Sequence, residues 1–482
     1  NTAPDVQDVY LERLKPDDAG QYQTPEGWAP FQVFRETIKV KGQPDVAWQV
    51  RATRHGPVIS DGGSATEGLT GPPGKLVYAL ALRWTALDAD AGTLDAAIAF
   101  NRARSVDEFI QASARYIAPM QNMVVADRAG RIARVSAGRV PLRKPENDLK
   151  GQVPAPGWDA RYDWAGYLPA DATPREIDPP RGWAATANQR IHEPDYPHYL
   201  TSEWAPPWRQ QRIEQLLQAQ PRHDLASLRR IQADEVSLAA LALLPHLQKA
   251  VSDHPLAPAA LKALDGFDGR MAADRAAPLI LWSWTRHLTR RLFADDLGPL
   301  FERSGRSYRE ALEGVLARDD GSWCDDQKTP VPETCAQQAG AALTDALNEL
   351  QAAQGAAVEA WQWGKAHQAR AEHRPFSKVP PLARWFELRV PVGGDTYTVN
   401  VSRVSLKPDP TTGELYLDEH GPSLRALYDL GDPSQSRFIH STGQSGLPFS
   451  PHYRDFLDRW RRVEDLPVWS GAPLATLALQ PG

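Results

Sequence analysis

Apolar and polar positions change rhythm twice along the chain. From residue 1 to about 190 the spacing is that of strands. Val9–Leu14 joins β-branched and aromatic residues, and Phe34–Val40 alternates apolar with polar as a half-buried strand should. Trp48–Arg54 repeats that style, and Gly56-Pro57 should break it. Leu76–Leu82 is almost wholly apolar, which predicts a strand covered on both faces. Ser105 with Glu108 three positions later forms a capping box, predicting a helix towards Tyr116. Met123–Ala133 reads as strand, Asp127–Gly130 turn, strand.

From about 206 to 370 the period becomes helical. Trp208, Ile213, Leu216 and Leu217 mark one apolar face among Arg and Gln, and Leu225–Leu243, Pro278–Phe293 and Gln337–Ala353 continue the pattern. Strands return at Trp385–Val390, Thr396–Ser402 and Arg437–His440. The expected class is α+β. Residues 1–205 form the β-rich part of a core, 206–383 a mainly helical insertion, and 384–482 strands and a helix returning to that core. There is no internal repeat, and Pro169–Pro180 reads as a loop rather than an interdomain linker.

Composition narrows the class of function. A chain of 482 residues, 42% hydrophobic and 24% charged, is not a disulfide mini-protein, a coiled coil or a disordered tail. A net charge of −6 supplies no basic field for nucleic acid. Mean hydropathy is −0.48, and no run approaches the roughly 18 apolar residues of a membrane span. The opening Asn1–Asp8 has neither the basic nor the apolar region of a signal peptide and no initiator Met, so Asn1 is not expected to be the biological start. Cys324 and Cys335 are spaced wrongly for a CxxC motif. They are either two buried thiols or a disulfide closing a polar loop; the disulfide is the reading carried forward, and it implies an oxidising compartment.

Three groups of residues invite chemistry. Gly443-Gln-Ser445-Gly446-Leu447, with His452 and Asp455 behind it, resembles a serine elbow, but Leu447 stands where the second Gly belongs. A turn accounts for it better. Asp5-Val-Gln7-Asp8 places two carboxylates around a residue able to lend a carbonyl, which suits a hard cation such as calcium, with Glu203 far away along the chain. Spacing alone favours a solvated acidic start. Asn188 follows an Ala-rich stretch and could aim its amide at a developing oxyanion, although a satisfied buried amide is the plainer reading.

Seven blocks then occur in one order. They are Asp5–Arg13, Arg51-x-Thr-Arg-His55-Gly-Pro57, Gln121-Asn122-x4-Asp127-x2-Gly130, Ala187-Asn188, Pro206-Pro-x-Arg209-x2-Arg212-Ile213, Gly393-Gly-Asp395, and Gly443 to Tyr453. Together they resemble the β chain of the penicillin acylase family, Ntn hydrolases that include the cephalosporin and acyl-homoserine-lactone acylases. The resemblance covers essentially the whole chain. It implies an αββα sandwich of two antiparallel sheets with a helical insertion, N-terminally truncated, from a self-cleaving precursor exported to the periplasm or beyond. It further implies a missing α chain and N-terminal β segment as partners, and a small-molecule amide as substrate. The family's nucleophile is a Ser opening the β chain, and no Ser precedes Asp5 here.

Residue by residue, the resemblance makes Asn188 the oxyanion donor, with Arg209 holding the polar network nearby. It makes Gln121 a wall of the acyl pocket. Asp5, Asp8 and the carbonyl of Gln7 become calcium ligands, with Glu203 beside them, in a site left incomplete without the α chain. Ser445 and His452 become structural. The expected activity is hydrolysis of the acyl side chain of a β-lactam or an N-acyl-homoserine lactone, serving antibiotic biosynthesis or quorum quenching. The alternative is a non-catalytic binding or assembly module.

Overall fold

The computed structural model describes residues 4–62, 70–71, 77–90, 92–304, 308–469, 477–478 and 480. The chain divides into two compact units, residues 1–205 and 206–482, each with its own apolar clusters.

In the first unit the strands are β1 (Gln7–Lys15), β2 (Asp18–Thr24), β3 (Gly27–Pro30), β4 (Gln32–Ile38), β5 (Val46–Thr53), β6 (Gly56–Pro57) and β7 (Tyr78–Trp84). Helices α1 (Thr93–Arg102) and α2 (Val106–Ser113) follow. Then come β8 (Gln121–Ala126), β9 (Ile132–Ala137), β10 (Pro141–Arg143), β11 (Ala155–Pro156), β12 (Trp164–Tyr167) and β13 (Arg175–Ile177).

β1 is the organising strand. It runs antiparallel to β7 from Gln7 opposite Trp84 to Arg13 opposite Tyr78, and parallel to β11 at Tyr10 and Leu11. Its register shifts between Leu14 and Lys15, where it turns to pair with β2. The inward face reads Asp8, Tyr10, Glu12, Leu14, all buried. Two of those four are carboxylates, so their partners must be built into the surrounding fold.

β4 and β5 form a hairpin in which Phe34 lies opposite Val50, Glu36 opposite Trp48, and Ile38 opposite Val46. The alternation read from the sequence is real, but the expected half-burial is not: β4 is exposed along its length, with Phe34 at 45% and Ile38 at 50%. Gly56-Pro57 does not end the strand pattern. It returns as β6, antiparallel to β5, and a Cβ at Gly56 would stand 2.2 Å from the Leu82 carbonyl oxygen of β7. Leu76, expected to open β7, lies outside the described residues. The Ser105 cap forms, its hydroxyl accepting from Glu108 N at 3.2 Å. The Glu108 carboxylate, however, accepts from Arg104 N rather than from the cap residue itself. The strand–turn–strand reading of 123–133 holds as β8 and β9, joined where Asp127 accepts from Ala129 N and Arg131 N. β13 extends that sheet on β9.

The second unit begins with α3 (Trp208–Gln218), α4 (Leu225–Gln232), α5 (Leu238–Leu247), α6 (Ala257–Leu264), α7 (Ala277–Leu297), α8 (Pro299–Ser304), α9 (Arg309–Arg318), α10 (Gly321–Cys324) and α11 (Cys335–Gln354). α7 and α11 pack along each other, and Trp284 Nε1 donates to Ala339 O at 2.8 Å between them. Trp284, Trp361 and Trp363 are at most 1% exposed in this core. α11 opens on a full capping box, Thr334 with Gln337. Cys324 and Cys335 form a disulfide with Cα atoms 4.9 Å apart, tying α10 to the first residue of α11.

Beyond α12 (Trp363–Ala366), β14 (Gln368–Ala371) and α13 (Pro380–Phe386), the chain adds β15 (Leu388–Pro391), β16 (Arg403–Val404), β17 (Asp418–His420), β18 (Leu424–Leu427), β19 (Arg437–His440), α14 (Leu457–Arg461) and β20 (Leu466–Pro467). Three expectations need correction here. Leu225–Leu243 is two helices, because Ser237 starts a new one by accepting from Ala240 N. Trp385 lies in the last turn of α13, and the expected strand begins only at Leu388. Thr396–Ser402 is not a strand: Asp395 accepts from Tyr397 N, and Thr398 Oγ1 donates to the Asp395 and Asn400 carbonyls, so side chains fold the segment into turns. The fold is α+β with several sheets.

Candidate functional site

Asn188 lies in irregular chain eleven residues beyond β13, not at a strand end. Its backbone is left-handed, at φ +68°. Asn is among the few L-residues that adopt this conformation readily. The surrounding stretch is tied down at several points. Asn122 of β8 donates to Thr186 Oγ1 at 3.3 Å, and its own amide oxygen accepts from Ser136 of β9 at 2.7 Å. Arg134 of β9 donates to the Ile191 carbonyl at 3.3 Å. Ala187 N donates to Gln189 Oε1 at 2.9 Å, and the Asn188 carbonyl accepts from Ala205 N at 3.2 Å. Ala187 and Ile191 are buried on either side. A half-buried carboxamide is therefore carried on a backbone anchored to the β8–β9 sheet. Gln121 opens that same sheet, half-buried at the start of β8 opposite Ala137. The structure thus sets Gln121 and the Asn188 segment on one support within the first unit.

Arg209 belongs to the second unit, at the second position of α3, the first helix after Asn188. Burial lowers its pKa from the ordinary value. One turn on, Arg212 holds Asp234 through two bonds of 2.9 and 2.7 Å. The neighbouring Glu235 went unnoticed in the sequence. Burial pushes its carboxyl up to about 7, against the opposing pull of Arg270. A Cβ at Gly393 would meet Glu235 Oε1 at 2.3 Å, so the Gly393-Gly394 pair was the available signal for that close approach.

His55 is a second feature whose role the sequence hid. Its ring lies flat on Tyr10, centroids 3.6 Å apart. Nδ1 faces Glu12 at 2.7 Å and Nε2 faces Asp163 at 3.0 Å. Thr53 donates to Glu12 at 2.8 Å, and Arg54 grips Asp163 with two bonds of 2.8 Å. Burial would raise the Asp163 pKa, but His55 and Arg54 outweigh it and hold the carboxyl at about 2. The cluster welds β1, the β5–β6 turn and the 157–163 loop together.

The acidic start is buried rather than solvated at Asp8, which is 2% exposed. Its Oδ1 accepts from Arg143 Nη2 at 2.5 Å, and its Oδ2 from Arg143 Nε at 3.1 Å and Trp164 Nε1 at 2.9 Å. Asp5 accepts from the Tyr199 hydroxyl, and its carbonyl accepts from Arg143 Nη2 at 2.8 Å. Burial raises the Asp5 pKa, and Asp8 and Glu203 add to that direction. The Gln7 side chain is exposed, as is Glu203. Calcium requires six to eight oxygen ligands. With both Asp8 oxygens and the Asp5 carbonyl facing N–H donors, these residues do not fit that ion as arranged. Among the described residues no group of three or more His, Cys, Asp or Glu is set to hold a metal.

Ser445 carries no sign of a nucleophile. Its hydroxyl accepts from Leu447 N at 3.1 Å, and its N–H donates to the His452 carbonyl at 3.0 Å, while His452 Nδ1 faces Asp455 at 2.9 Å. This is a hydrogen-bonded turn.

Residues 1–473 match the penicillin amidase family model. The acyl-homoserine lactone acylase QuiP of Pseudomonas aeruginosa is 32% identical over 95% of this chain and 57% of its own length. The penicillin acylase 2 proenzyme of Pseudomonas sp. strain SE83 is 29% identical over 96% of the chain and 57% of its own length. The chain therefore spans somewhat over half the length of these curated relatives. A solved thermostable penicillin G acylase from Alcaligenes faecalis superposes with a TM-score of 0.66 at 20% identity, covering 99% of this chain and 87% of that one. At that identity the likeness speaks for the fold alone.

Proposed function

The chain belongs to the penicillin amidase family, and on that premise we propose that it serves hydrolysis of a linear amide, R–CO–NH–R′ plus water giving an acid and an amine. The acyl group would leave a homoserine lactone or a β-lactam nucleus; the names of the relatives support both classes. We assign no nucleophile within residues 1–482. The attacking Ser is proposed to lie in the part of the relatives' length that this chain does not span, released when a precursor cleaves itself into α and β chains. The disulfide supports a periplasmic or secreted setting.

The proposed role of Asn188 is to donate its amide N–H to the oxyanion that forms when the nucleophile adds to the carbonyl. One observation carries this: Asn188 is fixed at φ +68° on a backbone pinned to the β8–β9 sheet. An amide held beforehand costs no reorganisation when the charge develops. Gln121 is proposed as a polar wall of the acyl pocket, and Arg209 as a positioning residue. The test uses the full precursor-derived protein and two variants. Asn188→Gly keeps the left-handed backbone but removes the amide; Asn188→Asp keeps shape and backbone but removes the donor. Both should lose roughly two to three decades in kcat, about 3 kcal/mol, with KM little changed. Full kcat in either variant would end the oxyanion assignment. A raised KM at full kcat would reduce Asn188 to substrate binding.

A further inference from the structure

We propose that the guanidinium of Arg143 takes the place of a metal cation between Asp5 and Asp8, so that this acidic corner is held by a resident side chain and does not require calcium. The inference is independent of the amidase reading.

The corner is built around the arginine. β10 and β12 pair with Arg143 opposite Trp164, and the register shift between Leu142 and Arg143 re-aims the arginine. These two cross-strand partners both donate to Asp8 of β1, Arg143 through Nε and Nη2 and Trp164 through Nε1. The fork spans both carboxylate oxygens, a geometry that matches guanidinium to carboxylate. Nη2 also reaches the Asp5 carbonyl, a backbone oxygen of the kind a hard cation would use. The ion pair is deep, with the Arg143 side chain 5% and the Asp8 side chain 2% exposed. The Arg143 guanidinium also lies 5.8 Å from the Tyr199 ring centre, and the Tyr199 hydroxyl donates to Asp5.

The backbone has been cleared to make room. At Gly151, φ +78°, a Cβ would stand 2.3 Å from Asp8 Oδ1 and 2.7 Å from Arg143 Nη2. Any side chain there would be wedged into the pair. A calcium ion approaching Asp8 would meet three N–H donors and a fixed positive charge at the oxygens it needs. Displacing Arg143 would bury a second cation unpaired, at a cost that a single site repays poorly.

The test measures the Tm of the full protein in excess EGTA and in millimolar CaCl2, with terbium luminescence as a second readout. Tm is expected to be the same in both. Terbium is expected to give no emission sensitised through Trp164 or Tyr199. A calcium site filled at a hundred times its Kd would raise Tm by roughly 3 °C or more; such a rise, reversed by EGTA, would overturn the proposal. So would saturable sensitised terbium emission that calcium displaces. These two measurements need only the parent protein. In Arg143→Gln the carboxylates lose their counter-charge, and Tm in EGTA should fall by roughly 4 °C. Calcium should then recover part of that loss, because the vacated corner offers both carboxylates. An Arg143→Gln protein as stable in EGTA as the parent would also refute the inference.

Discussion

Asp8 shows how far one side chain could be read in advance. Spacing alone favours a solvated carboxylate there, and only the family resemblance gives it a cation; the structure supplies that cation from a partner 135 residues away on β10. No local spacing encodes that pairing. Asn188 was marked for its amide, while its left-handed backbone depends on Ala205, Thr186 and their neighbours. His367 was not marked at all. It is fully buried, Nδ1 2.6 Å from the Tyr416 carbonyl and Nε2 2.7 Å from Ser402 Oγ. Burial depresses its pKa from 6.5 to about 4, against the Tyr416 carbonyl, which favours the charged form. The unfolded chain therefore takes up a proton below about pH 6.5 while the folded chain stays neutral until about pH 4. This contribution to stability is complete above pH 6.5 and is lost as pH falls through that window, by about 3 kcal/mol in all. In His367→Gln, Tm should be lower at pH 7 and should fall less steeply between pH 6.5 and 4.5 than in the parent. Parallel Tm–pH curves would mean that His367 does not titrate as described.

Among elements, those with a long regular period were legible, even the side-chain-uncapped α7, and those decided by side-chain hydrogen bonds were not. α7 and α11 were located to within a few residues, as were β1, β5, β8, β9 and β19. Thr396–Ser402 has the composition of a strand, yet Asp395 and Thr398 offer its backbone nearer partners. The α4–α5 break is a cap written in one residue, Ser237, inside an otherwise continuous apolar pattern. The start of α11 invites a direct test, because a capping box and a disulfide meet there. Cys324 and Cys335 are 11 residues apart, and closing a loop of that size stabilises by about 3 kcal/mol in the chain-entropy model. The double variant Cys324→Ala/Cys335→Ala should lose about that much by chemical denaturation of the second unit. Thr334→Ala, which removes the cap alone, should lose about 1 kcal/mol. If the double variant lost no more than Thr334→Ala, the disulfide would contribute nothing beyond the helix start.

At the scale of the whole molecule, the α+β class was legible in the change from strand to helical spacing and back, and the family in the order of seven short blocks, none decisive alone. The several small sheets were not, because their pairings join segments scattered along the chain. If the nucleophile is supplied from outside residues 1–482, purified chain 1–482 should not turn over phenylacetyl or long-acyl amides in a product-release assay. Turnover abolished by Ser445→Ala would restore the local serine and undo the proposal. The placement of the tryptophans has a practical consequence for all of these measurements. Trp284, Trp361 and Trp363 are sealed in the helical core of the second unit, whereas Trp28 and Trp48 of the first are each 43% exposed. On unfolding, the sealed indoles change from an apolar to an aqueous environment, while the exposed pair already emits from a partly hydrated one. The sealed indoles will therefore shift most in an emission-wavelength melt, but the half-buried Trp84, Trp158, Trp164, Trp183 and Trp204 of the first unit contribute to the same signal. A spectroscopist who wants to follow the strands around Asp8 and Asn188 should record ellipticity alongside it.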